Sequence, residues 1–321
     1  MTSAQSELIK LHHCEHPSAT VIFIHGLDGD PWSTWGFDRS ESWLSWLLSS
    51  RNDVAVWTLK YRLSASWWFG GSMPLADRAI NTLAIINEKI DKTSPIVLVA
   101  HSYGGLLAKQ LVRAGNDTAR EFDSVSRRVA GIIFFATPNQ GSQIASYIKA
   151  FARVFSKISI FARFSPAVRE LKHNAPALRD LNLWFRGYVA THKILIKCYH
   201  ETLPVNGAVI VVDEASSDPG LQGVTSIPID ADHLTICKPT RRNFCASDLI
   251  DIIQQSVVTQ EAAASAKTGA PEPPTRERDR FDGLKDTTGS AGDPSPDGWE
   301  VVERRVRQLT DPSDTFKIED A

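Results

Sequence analysis

Ser102 lies in the stretch "VLVAHSYGGLLAKQLV" (97–112), where a β-branched apolar run passes at once into a helical pattern. A strand that turns directly into a helix leaves little room at the turn. The positions two before and two after the turn residue must be small, as Ala100 and Gly104 are. Such a turn lifts the serine hydroxyl above the strand end, and the helix amino terminus behind it favours developing negative charge. Gly105 then lets the helix approach the sheet. A serine held this way suits nucleophilic attack, provided an acid and a histidine follow it in the chain. A glycine-rich structural turn is the alternative reading, and the partners decide between the two.

Of the nine histidines, His233 directly follows the apolar run "VTSIPID" and sits on a late loop that can reach back to Ser102. It is the candidate base. His25 is read as bracing its loop, and His101 is the serine's neighbour. The acid must orient the imidazole and stabilise the imidazolium. Glu201, at the end of "KCYHE", is favoured on strand position, with Asp213 in "VIVVDEAS" as the alternative. Asp232 adjoins His233, and neighbouring side chains on an extended loop diverge, so it is set aside. Two backbone amides complete the set as oxyanion donors. One is on Tyr103, next after the serine; the other is on Leu27, in the loop "FIHGLDGDPWSTW" after the first strand.

The elements that must carry these residues follow from periodicity. "ATVIFIHG", "DVAVWTLKY", "SPIVLVAHS", "RRVAGIIFFATP", "THKILIKCYHE" and "VTSIPIDADH" read as six strands. Helical patterns separate them: "SWLSWLLSS", "MPLADRAINTLAIINEKIDK" with Pro74 near its first turn, and "GGLLAKQLVRAG" ending in glycine. Strands alternating with helices predict an α/β fold, a mostly parallel sheet flanked by helices.

Residues 141–187 interrupt that rhythm and read as a helical cap insertion. Phe151, Phe155, Phe161 and Phe164 stand there beside Lys149, Arg153, Lys157 and Arg163. The aromatics pack the cap onto the sheet domain in the favoured reading; the other is a basic amphipathic surface making peripheral contact with a membrane or lipid substrate. Composition changes at Val258. Residues 1–258 form the folded domain, and residues 259–321, rich in Pro, Gly, Ser and charge, are expected to be a disordered tail with one weak helical piece at 299–310. Clustered tryptophans in "WWFGG" (67–71) and "DPWSTWGF" are read as loop packing.

The remaining signals bound the function. The 321 residues are 42% hydrophobic and 22% charged, with formal net charge −2, which gives no case for nucleic acid. No apolar run reaches the roughly 18 residues of a membrane span. The first residues show no secretory pattern. Cys14, Cys198, Cys237 and Cys245 lie far apart, without disulfide or zinc spacing, which predicts a reducing, cytoplasmic compartment. "LHHCEH" (11–16) gathers borderline ligands but matches no metal-binding spacing. The chemistry calls for no metal or organic cofactor.

Taken together, "VIFIHGLDGDPWSTW", "MPLADRA", "VLVAHSYGGLLAKQ", "GIIFFATPNQGS", "CYHETLP", "IVVDEAS" and "IDADHLTICKP" resemble the α/β-hydrolase superfamily. More narrowly they resemble its serine-active-site-containing lipase-like group, related to GPI inositol-deacylases. The resemblance runs in order over residues 11–247. Similar modules head fungal NACHT and ankyrin-repeat receptors, where they serve as effector domains. The resemblance implies an α/β-hydrolase fold, Ser102 as nucleophile, His233 as base and Glu201 as acid. It further implies hydrolysis of a carboxylic ester or thioester with an acyl or lipid-like substrate. A regulatory interaction module that keeps the fold is the alternative. Asn139-Gln140-Gly141-Ser142 departs from the group's His-Arg-Gly-Ser, and Ala100 from its usual glycine.

Overall fold

Six β-branched runs become the parallel part of a seven-stranded sheet in the computed structural model, which describes residues 6–27, 29–37, 42–61, 73–118, 122–140, 147, 149–150, 154, 175–239 and 244–268. The strands are β1 (Glu7–His12), β2 (Thr20–Ile24), β3 (Ala55–Lys60), β4 (Ile96–His101), β5 (Val129–Phe135), β6 (Leu195–Glu201) and β7 (Ser226–Ile229). Their order across the sheet is β1-β3-β2-β4-β5-β6-β7. Every neighbouring pair is parallel except β1 with β3. All residues of β2 and β4 are buried. That is why both read as unbroken apolar runs rather than alternating ones: helices cover both faces.

The connecting helices are α1 (Trp43–Ser50), α2 (Leu75–Lys89), α3 (Tyr103–Asp117), α4 (Asp123–Ser126), α5 (Ala175–His192), α6 (Glu214–Ser217) and α7 (Cys245–Thr268). Trp35, Trp43, Phe23, Phe134, Phe135 and Phe185 are among the largest side chains buried in the core. Phe23 packs edge-on against Trp35 at 5.1 Å, so the "DPWSTW" loop is held by aromatic packing, as expected.

Four sequence expectations change. Strand β1 had no counterpart in the sequence reading. It is a half-exposed edge strand, and its register with β3 shifts between Lys10 and His12, so the bulge breaks the two-residue alternation. Helix α3 does not stop at Gly115. A Cβ there would meet the Ser126 Cβ at 2.8 Å, so this glycine admits α4 and the helix runs on to Asp117. Residues 175–187 do not belong to the cap insertion. They form most of α5, which lies along α3: Lys109 Nζ donates to Asn182 Oδ1 at 2.7 Å, and Arg113 pairs with Asp180. The same helix ends at His192, which is therefore not the start of β6. Finally, α7 runs to Thr268, beyond the expected boundary at Val258. The tail from 269, the cap residues 141–146, 148, 151–153 and 155–174, and "WWFGG" lie outside the described residues.

Candidate active site

The carboxyl ends of β4, β6 and β7 come to one edge of the sheet. The register pairs His101 with Phe135, Phe135 with Tyr199, and Glu201 with Ile229. Ser102 directly follows β4, Glu201 is the last residue of β6, and His233 lies on the loop after β7. Strands β4 and β6 are two positions apart, or roughly 10 Å at the usual strand spacing. One imidazole can bridge that gap.

It does so here. His233 Nδ1 lies 2.8 Å from Glu201 Oε2, and His233 Nε2 lies 3.0 Å from Ser102 Oγ. A carboxylate only accepts, so Nδ1–H donates to Glu201 and Nε2 is left to accept the serine proton. Glu201 Oε1 accepts from the Val211 and Val212 amides at 2.6 and 2.9 Å, which locks the carboxylate. Exposure is 0% for Ser102 and 1% for both His233 and Glu201. Asp213, the alternative acid, is used elsewhere: it caps α6 by accepting from the Ser216 amide at 2.8 Å. Asp232 accepts from the Leu234 and Thr235 amides, each at 3.0 Å, and so fixes the turn carrying His233.

The backbone at Ser102 has φ 55° and ψ −124°, a left-handed conformation that a β-carbon makes costly. Its amide donates to Phe135 O at 2.9 Å, which ties the turn to β5. Two glycines make the turn possible. A Cβ on Gly104 would fall 2.3 Å from Ile24 O, and one on Gly26 would fall 2.8 Å from Ser102 Cβ. Helix α3 therefore packs against the end of β2, and the loop bearing Leu27 presses onto the nucleophile. Tyr103 is the first residue of α3, and Leu27 follows Gly26 in a buried position. Both expected oxyanion donors thus lie on segments flanking Ser102.

His25 braces rather than reacts. Its ring stacks on Tyr61 at 4.3 Å, Tyr61 Oη donates to its carbonyl, and burial pulls its pKa down to about 4. His101 was singled out only as a neighbour, but it has a part in positioning. Its Nε2 donates to the His233 carbonyl at 2.9 Å, and burial, reinforced by His233, holds its pKa well below 6.5. It remains a neutral strut under the base loop. Asn139, at the departure from the group's His-Arg-Gly-Ser, is anchored through its Nδ2 to Ser217 O at 2.5 Å.

Sequence reasoning missed Tyr147. Its Oη lies 3.0 Å from Ser102 Oγ, and it is 1% exposed. With the serine proton directed at His233, the tyrosine hydroxyl is the donor. The only signal was one aromatic among several within the insertion, and nothing in its spacing pointed at Ser102. Among the described residues, no cluster of three or more His, Cys, Asp or Glu could hold a metal ion. "LHHCEH" is instead partly used by β1, with His12 Nε2 3.2 Å from Asn52 O.

A parallel sheet with one antiparallel edge and a Ser–His–Glu cluster at the strands' carboxyl ends is the architecture of α/β hydrolases. The model of the alpha/beta hydrolase family matches residues 21–228, and the chain belongs to that family. It is similar to protein SERAC1 of Danio rerio, 28% identical over 272 residues, covering 74% of this chain and 39% of that protein. To protein SERAC1 of Homo sapiens it is 30% identical over 253 residues, covering 70% and 37%. The chain thus spans less than two fifths of the length of these relatives. Among solved structures, a carboxylesterase of the thaumarchaeon Nitrososphaera gargenis covers 82% of this chain and 98% of its own, at 12% identity and TM-score 0.48. No helix among the described residues is long and apolar enough to cross a membrane.

Proposed function

We propose that the chain is a serine hydrolase acting on a carboxylic ester or thioester. The observation that carries this reading is the relay from Ser102 Oγ through both His233 nitrogens to Glu201, at 3.0 and 2.8 Å. Ser102 attacks the carbonyl carbon while His233 takes its proton. The amides of Tyr103 and Leu27 hold the oxyanion, and Glu201 stabilises the imidazolium. His233 then returns the proton to the leaving alcohol or thiol. Water, deprotonated by the same histidine, cleaves the acyl-enzyme. The aromatic and basic residues of 141–174 favour an acyl or lipid-like substrate, reached through peripheral contact with a membrane from the cytoplasmic side.

A fluorophosphonate probe tests the reading. Wild type is expected to label at Ser102, and Ser102→Ala and His233→Ala are expected to abolish labelling. Ester turnover should fall by roughly 10⁴- to 10⁶-fold in either variant, as for other hydrolases whose triad acts as a unit.

One observation favours a second reading. Ser102 is closed off, with Tyr147 seated on its hydroxyl. A fold that keeps this closure would serve as an interaction or effector module. Absence of labelling in folded wild type, with or without lipid, would select it.

A further inference from the structure

The other end of the sheet holds a cleft that plays no part in the Ser102 chemistry. About 890 Å³ of half-open space lies between the amino ends of β4, β5 and β6 and one face of α7. Strands of six or seven residues separate it from the catalytic edge, a distance of roughly 20 Å.

Its lining is charged in one sense. Lys92 precedes β4, Arg127 and Arg128 precede β5, and Lys193 precedes β6; Asp251 on α7 is the one carboxylate among the lining residues. Four cations beside one carboxylate among the lining residues make the cleft a favourable place for an anion. The floor is apolar, made by Pro95, Val129 and Leu195. A cleft of this size with an apolar base and a few converging polar groups is what a small ligand needs.

One of the cations is held in place. Arg128 Nε donates to Ser124 O at 3.1 Å, and Nη1 donates to Asp91 O at 2.7 Å and Ser94 O at 3.1 Å. Its buried Nη2 has no partner among the described residues. The guanidinium is thus fixed beside the cleft, where its charge favours an anion. Lys193 occupies the residue after α5 with φ 54°, and its amide donates to Val189 O at 2.9 Å. Glycine or asparagine is usual there, because a β-carbon is strained in the left-handed region. A lysine kept at that cost places a cation on the rim.

We propose that this cleft binds a phosphate-bearing organic anion of at least two negative charges, with its apolar part on the Pro95–Val129–Leu195 floor. The proposal does not depend on the hydrolase reading. A soluble nucleotide and a phosphoinositide head group share this chemistry.

Calorimetry on the full chain at low salt separates the sources, using ADP, inorganic pyrophosphate, and phosphatidylcholine vesicles with and without phosphatidylinositol phosphate. Binding of ADP more tightly than pyrophosphate assigns a free nucleotide-like ligand. Binding only to the phosphoinositide vesicles assigns a head group. In either case Lys92→Glu is expected to weaken binding about tenfold, with fluorophosphonate labelling unchanged from wild type, whatever that is. Lys193→Gly is the sharper variant: it relieves the left-handed strain, so the melting temperature should hold or rise while binding weakens. The proposal is overturned if neither anion nor vesicle binds wild type, or if both variants bind as wild type does.

Discussion

At the scale of single residues, the difference between Glu201 and Asp213 shows how position overrides type. Both are acidic and both follow apolar runs. Glu201 reaches His233 Nδ1, whereas Asp213 spends its carboxylate on the Ser216 amide. Glu201→Gln should therefore cost roughly 10⁴-fold in ester turnover, because an amide no longer enforces the productive tautomer. Asp213→Ala should leave turnover largely intact and cost about 1 kcal/mol of stability, as loss of a helix cap does. Steady-state kinetics and urea denaturation of the two variants check both halves. Equal kinetic losses would refute the assignment. Ser102 and His233 were legible from motif and chain order, because a nucleophile turn and a late-loop histidine impose local patterns. Tyr147 was not, since its contact with Ser102 spans 45 positions and leaves no trace in spacing.

At the scale of elements, the site depends on how closely β2, β4 and α3 approach. Gly26 is where the loop after β2 touches the nucleophile, and a Cβ there would lie 3.2 Å from Ser102 Oγ. Gly26→Ala is expected to keep the far-ultraviolet circular dichroism of wild type. It should still lower turnover by about 100-fold, the order of loss that an ångström-scale misplacement brings. Unchanged turnover would show that the loop has slack the packing does not suggest. The six parallel strands were readable because buried β-branched runs are distinctive. The edge strand β1 was not, because its bulge hides the alternation. The extent of α5 was not readable either. Its helical period continues past Gly187, and only the contacts of Asn182 and Asp180 with α3 show that it flanks the sheet.

At the scale of the whole molecule, buried basic groups set the pH dependence of stability. His25 is held neutral, its pKa pushed from 6.5 down to about 4 by burial, and His101 is shifted the same way. Between these values the unfolded chain takes up protons that the folded one refuses, so stability falls as pH drops from 6.5 to 4. His25 alone accounts for about 3 kcal/mol over that span, at 1.36 kcal/mol per pH unit. Burial likewise lowers Lys109 from 10.5 to about 7. The unfolded chain then holds the extra proton above pH 7, and stability climbs with pH until the thiols of Cys198 and Cys237, pushed up to about 12, begin to oppose it above 9. Urea midpoints measured from pH 4 to 9 should rise throughout. A flat profile between 4 and 6.5 would contradict the burial of the two histidines.

The order of residue types along the chain already contained the α/β alternation, the nucleophile turn and its histidine. Each of these rests on periodicity or steric need within a few neighbouring residues. The removal of Asp213 as the alternative acid, the strut role of His101, the seat of Tyr147 on the serine and the cationic cleft at the far end of the sheet came only from folding. Each joins residues tens of positions apart, and what brings them together is strand order and register, which no local pattern encodes.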